Sequence, residues 1–318
     1  MKTSSGDVNL TSRIAGLVFK NPVTVASGTF GTKGEFSDCV DYAKLGAVIT
    51  KTITVNPRKG NPMPRICETP SGMLNAIGLQ NKGLQDFLET KIPYFAGIKT
   101  PLIVNIAGEE DQDFKTLTRA LHRHKKVVRA LELNLSCPNV EAGGVSFMRK
   151  RKKIDRIVRT VKNETDLPVI AKLSPELGDV IEIAGLVAAS GGNAVSLINT
   201  LKGLSIDIRT RRPRLANITG GLSGPAIRPV ALRYVYEVKR RYPQLPVIAS
   251  GGILTAADAL EFLIAGAELV ALGTANFVNP SATLDVLDGI RSFCQEQKID
   301  SLDDLRGSLQ LPEKKTCW

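Results

Sequence analysis

The chain has 318 residues, 43% of them hydrophobic, and a formal net charge of +11 at pH 7. The apolar content suffices for a large core, but no apolar run is long enough to span a bilayer, and the N-terminus lacks the apolar stretch of a signal peptide. The five cysteines are scattered and never spaced as C-x-x-C, which argues against a disulfide framework, a zinc site or an iron–sulfur cluster held by this chain alone. We therefore expect a cytoplasmic protein with no membrane segment and no metal.

Short apolar runs alternate with amphipathic patterns along the chain. Most of these runs are β-branched and apolar on both faces, as in a parallel sheet covered by helices. The eight predicted strands are Pro22–Ser27, Ala47–Thr52, Leu102–Ala107, Leu131–Ser136, Val169–Ser174, Ala194–Thr200, Val247–Ser250 and Leu269–Gly273. The predicted helices are Gly34–Leu45, Leu84–Tyr94, Asp111–Lys126, Lys153–Glu164, Val180–Ala189, Arg228–Tyr242, Ala256–Ala265 and Thr283–Gln297.

Eight strands alternating with eight helices predict a (β/α)8 TIM barrel, with a doubly wound sheet as the alternative because periodicity does not show closure. The start, Val8–Phe19, predicts an N-terminal hairpin that plugs the end of the barrel opposite the active site. Long loops are expected after strands 2, 4 and 6, including Ile53–Lys82 and Leu201–Ile227, and connections of this length are usually functional. No linker or low-complexity tract interrupts the chain, so residues 1–318 are predicted to form one domain.

Polar residues recur at the predicted carboxyl ends of the strands, the face on which barrel active sites lie. They are Ser27, Lys51, Thr52, Asn105, Asn134, Lys172, Ser174, Asn199, Thr200, Ser250 and Thr274. One such residue is more often a satisfied structural group. So many of them, brought to one rim by closure of a barrel, indicate a site.

Glycines follow the last two predicted strands, Gly251 and Gly252 after the seventh and Gly273 after the eighth. In barrels these two loops commonly bind phosphate through backbone N–H groups. The GGLSG loop that ends at Gly224 suits the same role, although glycines at turns also serve purely steric needs. No G-x-G-x-x-G fingerprint follows a strand and opens a helix, so a mononucleotide cofactor is favoured over a dinucleotide.

The reactive groups of the predicted rim are two lysines and one thiol. Lys51 and Lys172 suit either a Schiff-base nucleophile, as in an aldolase, or counter-ions beside a flavin. The two histidines, His122 and His124, lie in a charged helical stretch away from the strand ends. Cys137, in the loop after the fourth strand, is therefore the candidate base.

Three basic runs account for much of the positive charge: Arg123–Arg129, Arg149–Lys153 and Arg209–Arg214. A solvated surface is the simplest interpretation. Nucleic-acid binding is disfavoured because aromatic residues make up 5% of the chain and are not interleaved with these runs. Docking of an acidic protein partner or attraction of an anionic substrate stays open.

Ten segments, in order from about residue 16 to 280, carry a family resemblance: NPVTVASGTFG, LGAVITKTIT, GNPMPR, SGMLNAIGLQN, ELNLSCPNVEAGG, AKLSP, INTLKG, LANITGGLSGPAIRPVALR, ASGGI and ALGTANF. Together they resemble dihydroorotate dehydrogenase, and within that family the class 1B catalytic subunit. The sequence departs from the family pattern after Phe147, where Met148–Lys153 replaces the usual G-T-D-P turn.

The resemblance implies a barrel with FMN at its C-terminal face, where dihydroorotate is oxidised to orotate in pyrimidine synthesis. It implies that Cys137 takes a proton from C5 of the substrate while C6 passes a hydride to FMN. The implied substrate-binding residues are Lys51, Asn75, Ala76, Ile77, Gly78, Leu79, Asn134, Asn139, Asn199 and Thr200. The implied FMN-binding residues are Ser27, Lys51, Thr52, Asn105, Asn134, Lys172, Ile198, Gly224, Gly251, Gly252, Gly273 and Thr274.

The class 1B resemblance also implies a homodimer flanked by two electron-transfer subunits, which carry FAD and an iron–sulfur cluster and pass electrons to NAD in a heterotetramer. Three alternatives remain at this point. They are a related flavin barrel acting on another dihydropyrimidine, a Schiff-base aldolase, and a basic binding barrel without turnover. The last predicts a protein without flavin and with salt-sensitive affinity for nucleic acid.

Overall fold

The computed structural model describes residues 8–31, 33–135 and 147–312, and its centre is an eight-stranded parallel sheet. The strands are Val23–Val25 (β1), Val48–Ile49 (β2), Leu102–Ile106 (β3), Val128–Asn134 (β4), Val169–Leu173 (β5), Ala194–Leu197 (β6), Val247–Ser250 (β7) and Leu269–Leu272 (β8). All eight coincide with predicted strands. From β2 to β8 each strand pairs with the next one along the chain, and β8 pairs with β1.

The seam between β1 and β2 closes the barrel. The backbone N–H of Gly46 donates to the Val23 carbonyl at 2.9 Å. The Thr24 hydroxyl donates to the Ala47 carbonyl, also at 2.9 Å. Closure confirms the (β/α)8 prediction and rules out the doubly wound alternative.

The helices are Gly83–Asp86 (α1), Ile92–Ala96 (α2), Asp111–His122 (α3), Phe147–Glu164 (α4), Val180–Ala189 (α5), Arg228–Arg241 (α6), Ala256–Ile264 (α7), Ala275–Val278 (α8), Ala282–Glu296 (α9) and Leu302–Leu305 (α10). A π-helical turn, Phe87–Lys91, joins α1 to α2. The helix predicted over Gly34–Leu45 is wrong: turns and one 3₁₀ helix, Tyr42–Lys44, occupy it. There Gly34 adopts a φ of +81°, outside the helical region, and the Phe36 ring stacks on Phe30 at 4.6 Å.

The N-terminal hairpin plugs the amino end of the barrel, as predicted. Its strands, Ser12–Ile14 and Leu17–Phe19, pair antiparallel. Ile14 and Phe19 are each 1% exposed and pack against the apolar side chains that enter the barrel at the start of its strands. Among the described residues the hairpin thus fills the amino end, and a ligand is expected at the opposite, carboxyl end.

The long connections after β2 and β6 fold together at that carboxyl end. They form one four-stranded antiparallel sheet, the loop sheet, whose strands in spatial order are Leu201–Leu204, Thr219–Ser223, Gly72–Asn75 and Ile66–Thr69. Its two halves meet where Gly221 pairs with Asn75. The connection after β4 lies largely in residues 136–146, outside the described residues.

The basic start of α4 is compensated by neighbouring helices. Arg151 pairs with Glu182 at the start of α5, and Arg156 pairs with Asp111 at the start of α3. The Lys153 ammonium donates to the Glu109 carbonyl at 3.0 Å. These contacts offset the unfavourable placement of cations at a helix N-terminus. No described helix is long and apolar enough to cross a membrane.

Candidate active site

The inward-facing side chains of the barrel change from apolar to polar along each strand. The lower positions belong to a cluster of buried apolar residues that includes Ile49, Ile103, Ala130, Ile170 and Ala194. Side chains two positions further along a strand point to the same face. They form a polar layer above that cluster: Lys51, Asn105, Glu132, Lys172 and Ser196.

Sequence reasoning missed two residues of this layer, Ser196 and the only acidic one among the five, Glu132. Its side chain is 2% exposed. It accepts a hydrogen bond from Asn105 Nδ2 at 2.5 Å and another from Ser196 Oγ at 2.5 Å. The available signal was its place two residues before Asn134 in an apolar strand, which puts both side chains inside the barrel.

The two lysines of the layer lie in different surroundings. Lys172 is 8% exposed, and its ammonium group has no hydrogen-bond or ion-pair partner within the described residues. Lys51 is half-buried. Burial lowers the pKa of Lys51, the nearby positive charge of Arg65 lowers it further, and Glu35 opposes both effects.

Amide side chains gather above β4 and β6. Asn199 Nδ2 lies 3.5 Å from Asn134 Oδ1, and Asn199 Oδ1 accepts the backbone N–H of Thr200 at 2.8 Å. Asn75 Nδ2 donates to the Gly221 carbonyl at 3.2 Å, which ties the loop sheet together. An amide both donates and accepts, so this group suits a planar ligand that presents carbonyl and N–H groups.

The segment from Ala76 to Leu79 leaves the loop sheet in a tight turn. The Ala76 N–H donates to the Arg65 carbonyl at 2.8 Å, and the Ile77 carbonyl accepts from Asn61 at 3.0 Å. Gly78 and Leu79 both have positive φ, +75° and +56°. A non-glycine residue in this region is uncommon and is held there by its surroundings, so the turn is rigidly placed.

On the opposite side, Ser27 Oγ and Thr52 Oγ1 lie 3.3 Å apart and link the ends of β1 and β2. At the end of β6, the buried Ile198 donates its N–H to the Ser250 carbonyl at 2.9 Å, which holds the start of the Asn199–Thr200 segment against β7.

The glycine-rich loops after β6, β7 and β8 lie against one another. A Cβ on Gly252 would come within 2.9 Å of the Gly224 carbonyl, and Gly252 has a φ of +77°. The Thr274 hydroxyl donates to Ser223 Oγ at 2.8 Å and so joins the end of β8 to the loop sheet. The N–H groups of Gly251, Gly252 and Thr274 donate to no described carbonyl, which leaves them for an anion.

These residues fit FMN on three observations. The backbone N–H groups of Gly251, Gly252 and Thr274 donate to no carbonyl of the described residues and are available to a phosphate. Asn105 Oδ1 is buried without a hydrogen-bond partner among the described residues, so this oxygen can accept a hydrogen bond from an N–H group of the ligand. Lys172 supplies a buried positive charge, as a ring that gains electrons requires. The described residues contain no cluster of ligands suited to a metal ion.

Cys137 and Asn139 lie outside the described residues. Asn134 ends β4 inside the barrel, and Cys137 follows three residues later. His122, by contrast, lies on α3 with its Nδ1 2.9 Å from Thr165 Oγ1, on the outer layer of the barrel.

Comparison with known proteins gives a consistent result. A family described as "Dihydroorotate dehydrogenase" matches residues 9–294. A protein from Alkaliphilus metalliredigens, named "Dihydroorotate dehydrogenase B (NAD(+)), catalytic subunit", is 48% identical over 302 residues, covering 95% of this chain and 99% of its own length. The protein of the same name from Geotalea uraniireducens is 47% identical over 304 residues, 96% of this chain and 99% of its own.

Proposed function

This chain belongs to the dihydroorotate dehydrogenase family, and from that membership we propose that it oxidises dihydroorotate to orotate in pyrimidine biosynthesis. The observation that carries the proposal is the polar layer at the open end of the barrel. It combines a buried lysine, a buried amide oxygen and backbone N–H groups that have no hydrogen-bond partner among the described residues. Together these features suit FMN and a flat, hydrogen-bonding substrate.

FMN, when bound, accepts the hydride from C6 of the substrate. The side chains proposed to hold it are Ser27, Lys51, Thr52, Asn105, Asn134, Lys172, Ile198 and Thr274, with the backbones of Gly224, Gly251, Gly252 and Gly273. The loop glycines and Thr274 would bind the phosphate of FMN, and Asn105 and Lys172 would contact its flavin ring.

Cys137 serves as the base that removes the C5 proton. Abstraction of this proton builds negative charge on the adjacent carbonyl of the substrate. Asn134 and Asn199, which lie side by side at the carboxyl end of the barrel, donate hydrogen bonds to that charge in the manner of an oxyanion hole.

The remaining substrate contacts come from Lys51, Asn75, Asn139 and Thr200 and from the turn Ala76, Ile77, Gly78 and Leu79. Lys51 supplies the positive charge for the substrate carboxylate. Asn75 lies in one half of the loop sheet and Thr200 directly precedes the strand Leu201–Leu204 of the other half, so the pairing of the two halves fixes the spacing of these two proposed contacts.

Electrons leave, in this proposal, through a separate subunit that carries FAD and an iron–sulfur cluster and reduces NAD. The relatives are named as catalytic subunits of an NAD-linked enzyme, and the cysteine pattern of this chain provides no cluster of its own. We propose a homodimer of this chain within a heterotetramer, located in the cytoplasm, with residues 1–318 as one domain.

Anaerobic mixing with dihydroorotate tests the proposal. The purified protein should be yellow and should bleach when dihydroorotate is added, and NAD with the partner subunit should restore the colour. A colourless protein, or a yellow one that bleaches only with another dihydropyrimidine, would contradict it. Cys137→Ala should retain FMN and lose most turnover, whereas Cys67→Ala, in the loop sheet, should keep turnover near wild type.

A further inference from the structure

Glu132 is a buried carboxylate to which the proposed reaction gives no role. It is 2% exposed, and it forms no ion pair with a described residue. Both of its hydrogen bonds are donated to it, by Asn105 and by Ser196, as suits an ionised acceptor. A charge in such a place is costly unless something nearby compensates for it.

The register of the strands shows what lies nearby. Glu132 is on β4 and Ser196 is on β6, so the bond between them crosses the inner face of β5. On β5, Lys172 is paired in register with Ser196 on one side and with Asn134 on the other. Lys172 shares the inward face with Ile170. The carboxylate and the ammonium therefore both lie buried inside the barrel, with no ion pair between them.

We propose that Glu132 is a positioning residue for the flavin that also balances the charge of Lys172 and so holds down the reduction potential of the bound cofactor. The inference rests on the proposed function. Reduction adds negative charge to the flavin, which Lys172 favours and Glu132 opposes. In a low-dielectric interior both effects reach beyond contact distance.

Glu132 also fixes the direction of Asn105. Because Asn105 Nδ2 donates to the carboxylate at 2.5 Å, its buried Oδ1 stays oriented as an acceptor without a partner among the described residues. An oxidised flavin ring carries one N–H group, which can donate a hydrogen bond to the Asn105 Oδ1 held in this orientation. Loss of Glu132 would let the amide rotate.

The test is Glu132→Gln, which keeps the size of the side chain and removes the charge. The substitution introduces an amide nitrogen at position 132. If the Asn105 amide rotates, its Oδ1 accepts a hydrogen bond from that nitrogen, so the variant is expected to fold and to bind FMN. In a reductive titration against a reference dye, the ratio of reduced to oxidised FMN at a given potential should be at least tenfold higher than in wild type. That ratio is a rise of about 30 mV for a two-electron couple.

Ser196→Ala is the matched control, because it removes one hydrogen bond and keeps the charge. Its reduction potential should not rise. If Glu132→Gln binds FMN with an unchanged potential, or if Ser196→Ala raises the potential equally, the inference is overturned.

A double variant keeps the test decisive if Glu132→Gln does not fold. Lys172→Met should lower the potential, and Lys172→Met with Glu132→Gln, which removes both charges together, should bring it back toward wild type. A double variant with the potential of Lys172→Met alone overturns the inference. Failure of the proposed function is separately visible, because the wild-type protein would then lack FMN or would not bleach with dihydroorotate.

Discussion

Gly221→Ala is expected to weaken orotate binding by displacing Thr200. Gly221 lies in the loop sheet between Lys202 and Asn75, and a Cβ there would sit 2.1 Å from Thr200 Oγ1 and 2.7 Å from Thr200 Cβ. Ordinary contact requires about 3.4 Å or more between such atoms, so the Thr200 hydroxyl oxygen must move by more than an ångström. Overpacking of this kind costs about 1–3 kcal/mol, which corresponds to a roughly 5- to 150-fold weaker complex if the strain falls on the substrate site.

The assay is titration of orotate against the flavin absorbance, together with thermal unfolding. Gly97→Ala is the matched control, since the nearest atom to its Cβ would be the Tyr94 carbonyl oxygen at 3.6 Å, and it should leave the orotate affinity unchanged. Combining Gly221→Ala with Thr200→Gly should restore stability but not affinity. A Gly221→Ala protein with wild-type affinity would show that Thr200 does not border the substrate.

Two further predictions concern charge and the barrel seam. Arg65→Gln should raise the pKa of Lys51 because a like charge is removed. With Lys51 binding the substrate carboxylate as proposed, orotate affinity should then decline at higher pH than in wild type. An alkaline limb of the pH profile that does not move would refute the role of Lys51. Thr24→Val should destabilise the fold by about 1–3 kcal/mol because it removes the 2.9 Å bond to Ala47 that closes the seam. Thr118→Val, at a buried hydroxyl without a partner among the described residues, should be neutral or stabilising by about 1 kcal/mol. If both valine variants lower the denaturation midpoint equally, this reasoning is contradicted.

Local patterns predicted the barrel strands and the polar rim. A strand covered by helices on one side and by the barrel core on the other is apolar on both faces, and this requirement is written in consecutive residues, as in Val169–Leu173. The change to a polar residue near the carboxyl end is just as local, as with Lys172. Helix starts are local as well: Thr255 and Asp258, three residues apart, form the capping box that begins α7.

Contacts between distant parts of the chain were decided by the tertiary structure. Asn75 and Gly221 are 146 residues apart in the chain and are hydrogen-bonded in the loop sheet; neither connection by itself shows that it will pair with the other. Glu132 reads as one acidic residue in an apolar strand until closure of the barrel brings Asn105 and Ser196 to it. Likewise, the helical spacing over 34–45 did not produce a helix, because a glycine there adopts a positive φ and Phe36 stacks on Phe30. A single sequence encodes which face of each segment is buried, because burial repeats with the period of that segment, but it does not encode which remote partner fills that face.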